Sequence, residues 1–167
     1  MSTDSGIFER IAKLLGGGAL VLAASLIIPN EGRKTTPYRD TGGVLTVCDG
    51  HTGGVQNRKY TTQECDAMLA SDIFKHDADI SKCIPADLTE SQHAAFLSFA
   101  YNVGAPTFCR STMSKKALAH DLPGACAELS KFVFAAGKDC RVASSNCFGI
   151  VKRRAAERTM CEKRKTL

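Results

Sequence analysis

Hydrophobic positions divide the chain into an apolar N-terminal segment, a short polar region with two strand-like runs, and a long helical remainder. Residues 14–28, LLGGGALVLAASLII, carry no charge. After Pro29 the sequence becomes rich in Gly, Thr and charge, with short β-type runs at 37–39 and 44–47. Turn-forming residues at 40–43 connect these runs, which predicts one small antiparallel hairpin.

Helical patterns dominate the chain beyond residue 60. Thr61 and Glu64 have the spacing of a capping box that opens a helix running to about residue 82, and Thr89 with Gln92 opens a second one. The second helix has a wide apolar face and is expected to end at Gly104. Further helices are expected at about 111–119, 123–134 and 151–164. The pattern predicts an α+β fold that is mostly helical, with one small antiparallel β-hairpin sheet towards the N-terminal side.

Length and charge narrow the class of protein. A chain of 167 residues with 44% apolar content can bury an ordinary core in one compact domain, which excludes a disordered or fibrous protein. The net charge of +5 favours anionic partners such as cell wall, outer-membrane lipid or nucleic acid, without choosing among them. We expect no nucleic-acid partner, because the basic runs lack interleaved aromatic residues and a recognition motif.

The cysteine pattern indicates disulfides in an oxidising compartment. The chain has eight cysteines, and no pair has the C-x2-C or H-x3–5-H spacing that favours the competing explanation, a zinc site. Cys140 and Cys147 would close a short loop and are expected to pair. The remaining pairings stay open among Cys48, Cys65, Cys83, Cys109, Cys126 and Cys161. We expect no metal and no organic cofactor.

The apolar segment has the flanking charge of an export signal. Arg10 and Lys13 precede it, but its 15 residues fall short of the roughly 20 that a spanning helix needs, so membrane insertion would be marginal. Three interpretations remain: a cleavable signal peptide, a weak membrane anchor, or a buried helix. We favour the weak anchor, because cleavage at the small residues 23–25 leaves few residues before the motifs that follow.

Three side chains after this segment have the chemistry of glycosidic hydrolysis. That reaction needs a proton donor for the leaving oxygen and a second group on the opposite face of the sugar. Glu31, Asp40 and Thr46 are of the required types, and a hairpin folded against a helix end can bring them to one cleft. On spacing alone, a solvated loop is the alternative interpretation.

Several short motifs surround these residues. They are EG at 31–32, PYRD at 37–40, GVLT at 43–46, GHTG at 50–53, SFAYNVG at 98–104, ST at 111–112 and GIVKRRAAER at 149–158. Together they resemble the T-even-type phage lysozymes of glycoside hydrolase family 24. The resemblance implies a lysozyme-like fold, with an export segment at residues 1–30 and a catalytic domain at residues 31–167.

The resemblance also implies roles for individual residues. Glu31 corresponds to the family's general acid, and Asp40 and Thr46 correspond to groups that position the attacking water or stabilise charge across the sugar. Arg153 resembles a basic residue that approaches the catalytic Glu in relatives, with a solvated helix face as the alternative.

Other positions are less specific. Gln92 and Asn102 are expected to line the glycan cleft, with a hydrogen bond at a helix terminus as the alternative. His51 is interpreted as part of the loop structure. Cys48 and Asp49 stand where many members have Gly and Tyr; Cys48 agrees with export, whereas Asp49 adds a carboxylate without an assigned role.

The family resemblance predicts an endolysin that cleaves the β-1,4 bonds between N-acetylmuramic acid and N-acetylglucosamine in peptidoglycan and lyses the host. A weak apolar segment directly before the motif further resembles the signal-anchor-release subgroup, which is tethered to the inner membrane before release into the periplasm. Tethering would hold Glu31 at the membrane surface, and release would let the segment pack on the domain as a helix. Residues 1–47 contain no cysteine, which excludes the thiol switch of some relatives. We expect a monomer.

Three alternatives come from other classes: a catalytically silent peptidoglycan-binding protein of the same fold, a small exported nucleic-acid-binding protein, and a hydrolase of a related glycan such as chitin. The presence of all three catalytic residue types argues against the silent protein. Comparing lysis of permeabilised cells with hydrolysis of chitin separates the two hydrolases.

Overall fold

The computed structural model describes residues 3–163 and contains, within that range, eight α-helices and two two-stranded antiparallel sheets. Short 3₁₀ turns lie at Ile28–Asn30, Leu129–Lys131 and Ala143–Ser145. The predicted class, α+β and mostly helical with a small sheet near the N-terminal side, is confirmed. In chain order the elements are α1 (Thr3–Leu15), α2 (Gly18–Ile27), β1 (Lys34–Arg39), β2 (Leu45–Cys48), α3 (Thr62–Ile80), α4 (Glu90–Val103), α5 (Ala105–Arg110), α6 (Thr112–Leu118), α7 (Leu122–Glu128), β3 (Phe134–Ala135), β4 (Lys138–Asp139) and α8 (Phe148–Cys161).

The apolar N-terminal segment is divided between two helices. Gly16 and Gly17 separate α1 from α2 with φ angles of 79° and 116°, which glycine adopts at little cost. The sequence pattern indicated one uninterrupted segment and did not predict α1, whose polar residues hide an apolar row at four-residue spacing. That row, Ile7, Ile11 and Leu15, is buried. No helix within residues 3–163 is both long and apolar enough to span a membrane.

Helix α2 is part of the core. It packs against α4, and its Ala23 and Ala24 are fully buried, so the two backbones can approach closely. Leu26 and Ile27 of the same helix are buried in the core, and burial of such side chains contributes about 1.5–3 kcal/mol each. Helix α4 also contacts α3, α5 and α8, which makes it the central element of the fold.

The β1–β2 hairpin lies where turn chemistry predicted it. Tyr38 pairs with Thr46, and β1 begins at Lys34, three residues before the predicted run. The Asp40 carboxylate closes the turn by accepting hydrogen bonds from the backbone N–H groups of Gly42 and Val44, each at 2.9 Å. The side chain of Asp40 therefore stabilises the turn that carries it.

The C-terminal third departs from the predicted helices. Helix α5 was not predicted, and α7 ends at Glu128 instead of about residue 134. A second hairpin, β3–β4, follows it, with Ala136 and Gly137 at φ angles of 48° and 75°, as its tight turn requires. Helix α8 starts at Phe148 and ends at Cys161, and the predicted end at residue 164 lies outside the described residues.

All eight cysteines form disulfides. Cys140 and Cys147, the pair favoured by the short loop, have an S–S distance of 2.09 Å. The pairings that the sequence left open are Cys48–Cys65, Cys83–Cys109 and Cys126–Cys161.

Candidate active site

A polar cleft of about 440 Å³ opens where the 3₁₀ turn after α2 meets the hairpin and helices α3 and α4. Glu31 enters it directly after the turn, and the loop after β2 forms one wall. The other lining residues come from the two helices. The lining consists of Glu31, Asp49, Gly50, His51, Thr52, Gly53, Asp72, Lys75, His76, Tyr101 and Asn102.

Glu31 is held by the end of the 3₁₀ turn. Its backbone N–H donates to the carbonyl of Ile28 at 3.3 Å, which fixes the backbone at the mouth of the cleft. Its side chain is 21% exposed, and its Oε1 accepts a hydrogen bond from Nη1 of Arg153 at 3.1 Å. Burial raises the pKa of Glu31 above its ordinary value, the guanidinium of Arg153 opposes that rise, and the Asp49 carboxylate adds to it. A carboxyl with a raised pKa is suited to donate a proton.

Arg153 is fixed by a buried network on α8. Its side chain is 6% exposed, its Nε donates to Oε1 of Glu157 at 3.3 Å, and its Nη2 donates to the carbonyl of Ser98 at 3.4 Å. Glu157 is fully buried and also accepts hydrogen bonds from Ser98 Oγ at 2.7 Å and from Arg154. Arg153 is therefore buried against Glu31 instead of lying on a solvated helix face.

Asp40 and Thr46 lie on the hairpin that directly precedes the cleft loop in the sequence. Neither is among the described residues that line the cleft. The Asp40 carboxylate accepts the two turn hydrogen bonds described above. Thr46 is 3% exposed, and its hydroxyl donates to the carbonyl of Val44 at 3.0 Å. Both side chains are thus fixed by contacts inside their own hairpin.

The two amides expected in the glycan cleft have separate positions. Asn102 lines the cleft and also a second groove beside Arg153, and its Oδ1 accepts a hydrogen bond from Arg154. Gln92 is not brought to Glu31. Its Oε1 accepts from the Thr89 N–H at 3.1 Å as half of a capping box, and it lines a different groove near Pro123. This contact is the alternative that the sequence left open for Gln92.

His51 is held on both sides of its ring. Its Nδ1 lies 2.9 Å from the Asp72 carboxylate, and its Nε2 lies 2.7 Å from the carbonyl of Gly53. Both nitrogens are engaged by the loop and α3, in agreement with the interpretation of His51 as loop structure.

The sequence did not indicate a cleft position for the residues on α3 or for Tyr101, although Tyr101 belongs to the SFAYNVG motif. They follow Glu31 by more than 40 positions and occur in helices whose apolar residues dominate the pattern. Burial raises the pKa of Tyr101, which keeps its hydroxyl protonated, and that hydroxyl donates to the backbone carbonyl of Asp49 at 3.2 Å. Within the part of the chain that the structure describes, no group of three or more His, Cys, Asp or Glu side chains is arranged to hold a metal ion.

Comparison with known proteins gives the family. The family model described as phage lysozyme matches residues 29–157, which contain the whole cleft. The chain belongs to the phage lysozyme family. It is a lysozyme, an enzyme, and the resemblance drawn from the motifs of the sequence is confirmed.

Curated relatives cover nearly the whole chain. A SAR-endolysin of Bacteriophage PS119 is 36% identical over 169 residues, covering 96% of this chain and 97% of that protein. A SAR-endolysin of Enterobacteria phage P21 is 37% identical over 161 residues, covering 92% and 93%.

Solved structures show the same fold. The active form of the P1 phage endolysin Lyz superposes with a TM-score of 0.76 at 24% identity, covering 93% of this chain and 92% of that one. The muramidase domain of SpmX from Asticaccaulis excentricus superposes with a TM-score of 0.73 at 21% identity, covering 85% and 95%.

Proposed function

We propose that this lysozyme is an exported endolysin that cleaves the β-1,4 bonds between N-acetylmuramic acid and N-acetylglucosamine in peptidoglycan and thereby lyses the host cell. The single observation that carries the proposal is the environment of Glu31. It is a half-buried carboxyl in a polar cleft, with a raised pKa and one guanidinium that fixes its position. The names of the curated relatives, SAR-endolysin, support the same function.

In the proposed reaction Glu31 is the general acid. It donates its proton to the glycosidic oxygen as the bond between that oxygen and the anomeric carbon breaks, while water adds to the anomeric carbon and loses a proton to the Asp40 carboxylate or to solvent. Asp40 and Thr46 act on the opposite face, where they position the water or stabilise the developing positive charge. For this role the hairpin turn must present the Asp40 carboxylate to the sugar. The two backbone hydrogen bonds of the turn both go to Oδ1, so Oδ2 has no partner among the described contacts.

Substrate contacts are assigned to the groups beside the acid. Arg153 orients Glu31 and contributes positive charge next to the leaving oxygen. Asn102 lines both the cleft and the adjoining groove, which supports a role for its amide in binding an N-acetyl group of the glycan. Gln92 has no part in the proposal, because its side chain caps α4.

Cleavage specificity is tested by the ends that the enzyme produces. Purified peptidoglycan is digested, reduced with borohydride and hydrolysed. The proposal predicts muramitol, because the cut leaves N-acetylmuramic acid at the reducing end. Glucosaminitol, or equal hydrolysis of chitin, would contradict the assigned bond.

We further propose that the N-terminal segment first tethers the enzyme to the inner membrane and becomes α1 and α2 after release into the periplasm. Both the composition of the segment and its packing in the fold support this proposal. The segment is apolar enough for marginal insertion, yet its small residues Ala23 and Ala24 also fit the core beside α4. In the tethered form Glu31 would follow the membrane helix directly, and the cleft would be incomplete. We expect the released enzyme to be a monomer.

Fractionation of cells tests the tether. Before the membrane potential is collapsed, the full-length protein should sediment with inner membrane, and afterwards it should appear in the soluble periplasmic fraction with an unchanged mass. A shortened N-terminus would indicate a cleaved signal peptide instead. A protein that is soluble from the start would contradict the anchor.

A further inference from the structure

An ion chain joins the N-terminal helix to the wall of the cleft. Nε of Arg10, on α1, lies 2.5 Å from Oδ2 of Asp66 on α3. The other oxygen of Asp66 lies 2.5 Å from Nη1 of Arg33. The remaining side of the Arg33 guanidinium contacts Asp49, with Nη2 to Oδ2 at 2.6 Å and Nε to Oδ1 at 3.1 Å. Four alternating charges thus connect α1 to a residue of the cleft.

The inner members of this chain are removed from water. The side chains of Asp49 and Asp66 are 6% and 5% exposed, and that of Arg33 is 12% exposed. Two buried carboxylates on one guanidinium leave an uncompensated negative charge, which is costly in a poorly solvated site. Arg10 supplies the second positive charge and does so only when α1 lies on α3.

Asp49 in turn acts on the catalytic acid. It lines the same cleft as Glu31, and its backbone carbonyl is held by Tyr101. Its negative charge raises the pKa of Glu31, against the lowering effect of Arg153. The other charged or titratable groups around the cleft are His51 from the loop and Asp72, Lys75 and His76 from α3.

We propose that Arg10 is a positioning residue: when α1 packs on α3, Arg10 completes the ion chain and holds Asp49 in the cleft wall beside Glu31. Docking of the N-terminal helix then also sets the charge environment of the acid. The inference rests on the proposed function, in which Glu31 is the acid and the N-terminal segment docks after release.

Arg10→Gln is the first test. Without Arg10, the Arg33 guanidinium is drawn towards the Asp66 carboxylate. The negative charge of Asp49 beside Glu31 is then neutralised less completely. The pKa of Glu31 should rise further, so the alkaline limb of the pH–activity profile should move to higher pH. Because Arg10 is 43% exposed, the coupling is modest, and kcat/KM at neutral pH should change by about 3-fold. Arg10→Lys keeps the charge and should restore the wild-type profile.

Asp49→Asn gives the opposite sign. It removes the negative charge that raises the pKa of Glu31, so the alkaline limb should move to lower pH. Arg58→Gln is the matched control, because Arg58 is 46% exposed and forms a comparable pair with Glu64 near the start of α3, away from the cleft lining. Its profile should superimpose on that of the wild type.

Titration of the Glu31 carboxyl by ¹³C NMR in the same variants gives a readout that does not need activity. Opposite shifts in Arg10→Gln and Asp49→Asn support the proposal. Superimposed titrations of wild type, Arg10→Gln and Arg58→Gln would overturn it, as would a loss of activity in Arg10→Gln that Arg10→Lys fails to restore. An inactive wild type with the predicted shifts would instead count against the proposed function.

Discussion

Arg153 and Glu31 are 122 positions apart in the chain, yet a guanidinium nitrogen of one lies 3.1 Å from a carboxylate oxygen of the other. Helix α8 carries Arg153, packs on α4 and thereby brings the C-terminal part of the chain to Glu31. The protonation of Glu31 is therefore set by burial and by two groups, Arg153 and Asp49, that its own segment does not contain.

Replacing Arg153 tests this relationship. In Arg153→Gln the group that lowers the pKa of Glu31 is lost, so that pKa should rise and the alkaline limb of the activity profile should move to higher pH. The free energy of unfolding should fall by about 2 kcal/mol, because hydrogen bonds to buried partners are lost. Arg158→Gln, on the same helix but 41% exposed, should change neither quantity appreciably. An unshifted profile in a folded Arg153→Gln enzyme would show that Arg153 does not tune the acid.

Glu157 anchors the network behind Arg153. Glu157→Gln leaves two buried guanidinium groups without their carboxylate, and the expected loss of stability is about 3 kcal/mol. Thermal or urea unfolding measures it. Glu162→Gln removes an exposed carboxylate that pairs with Arg158 and should cost less than about 0.5 kcal/mol. Equal losses in the two variants would mean that the buried network contributes no more to stability than an exposed ion pair.

Two of the disulfides differ in the length of chain that they close. Cys126 and Cys161 are 35 positions apart, whereas Cys140 and Cys147 are 7 apart. If the stabilisation comes from loop-closure entropy, replacing the longer pair by Ala should cost about 1.4 kcal/mol more than replacing the shorter one. Urea unfolding of the two double variants gives the difference. A larger cost for the Cys140–Cys147 pair would favour an enthalpic origin.

The glycines between α1 and α2 allow the packed form of the N-terminal segment. Gly17 has φ 116° and ψ −170°, a conformation that is restricted to glycine, so Gly17→Ala should destabilise the packed form by about 1–3 kcal/mol. The same change favours one continuous helix and should increase the fraction of enzyme that stays with the membrane. Gly6→Ala, within α1, meets only the end of the Arg10 side chain at 3.6 Å and should be neutral or slightly stabilising. Equal membrane fractions in the two variants would contradict the refolding account.

Local patterns predicted the elements that local chemistry determines. The capping residues Thr61 and Thr89 start α3 and α4 as expected, and Gly104 ends α4 with a φ of 88°. Helix α7 was predicted six residues too long, because its continuation has helical composition and only Ala136 and Gly137 form the turn of the second hairpin. The break at Gly16 and Gly17 was also missed, because the positive φ angles of these glycines cannot be recognised within a run of apolar residues.

The candidate site was predictable where one segment carries it. Glu31 and the family motif that contains it lie within a single stretch of the sequence. The approach of Arg153 to Glu31 was also predicted from a motif. Arg33, Asp66 and Arg10 were not suspected, because ion pairs between α1, the first loop and α3 depend on how three elements pack. For the same reason the sequence could not choose between the cleft and a helix cap for Gln92.

The most direct test of the account compares peptidoglycan hydrolysis by purified wild type with that by Glu31→Gln and Asp40→Asn, after thermal unfolding has shown that all three are folded. Asp40→Asn keeps the oxygen that accepts the turn hydrogen bonds, so the hairpin should persist. We predict an active wild type and a loss of about 10²–10⁴-fold in Glu31→Gln, as expected when a general acid is removed. A folded Glu31→Gln enzyme with activity within a few-fold of wild type would contradict Glu31 as the acid.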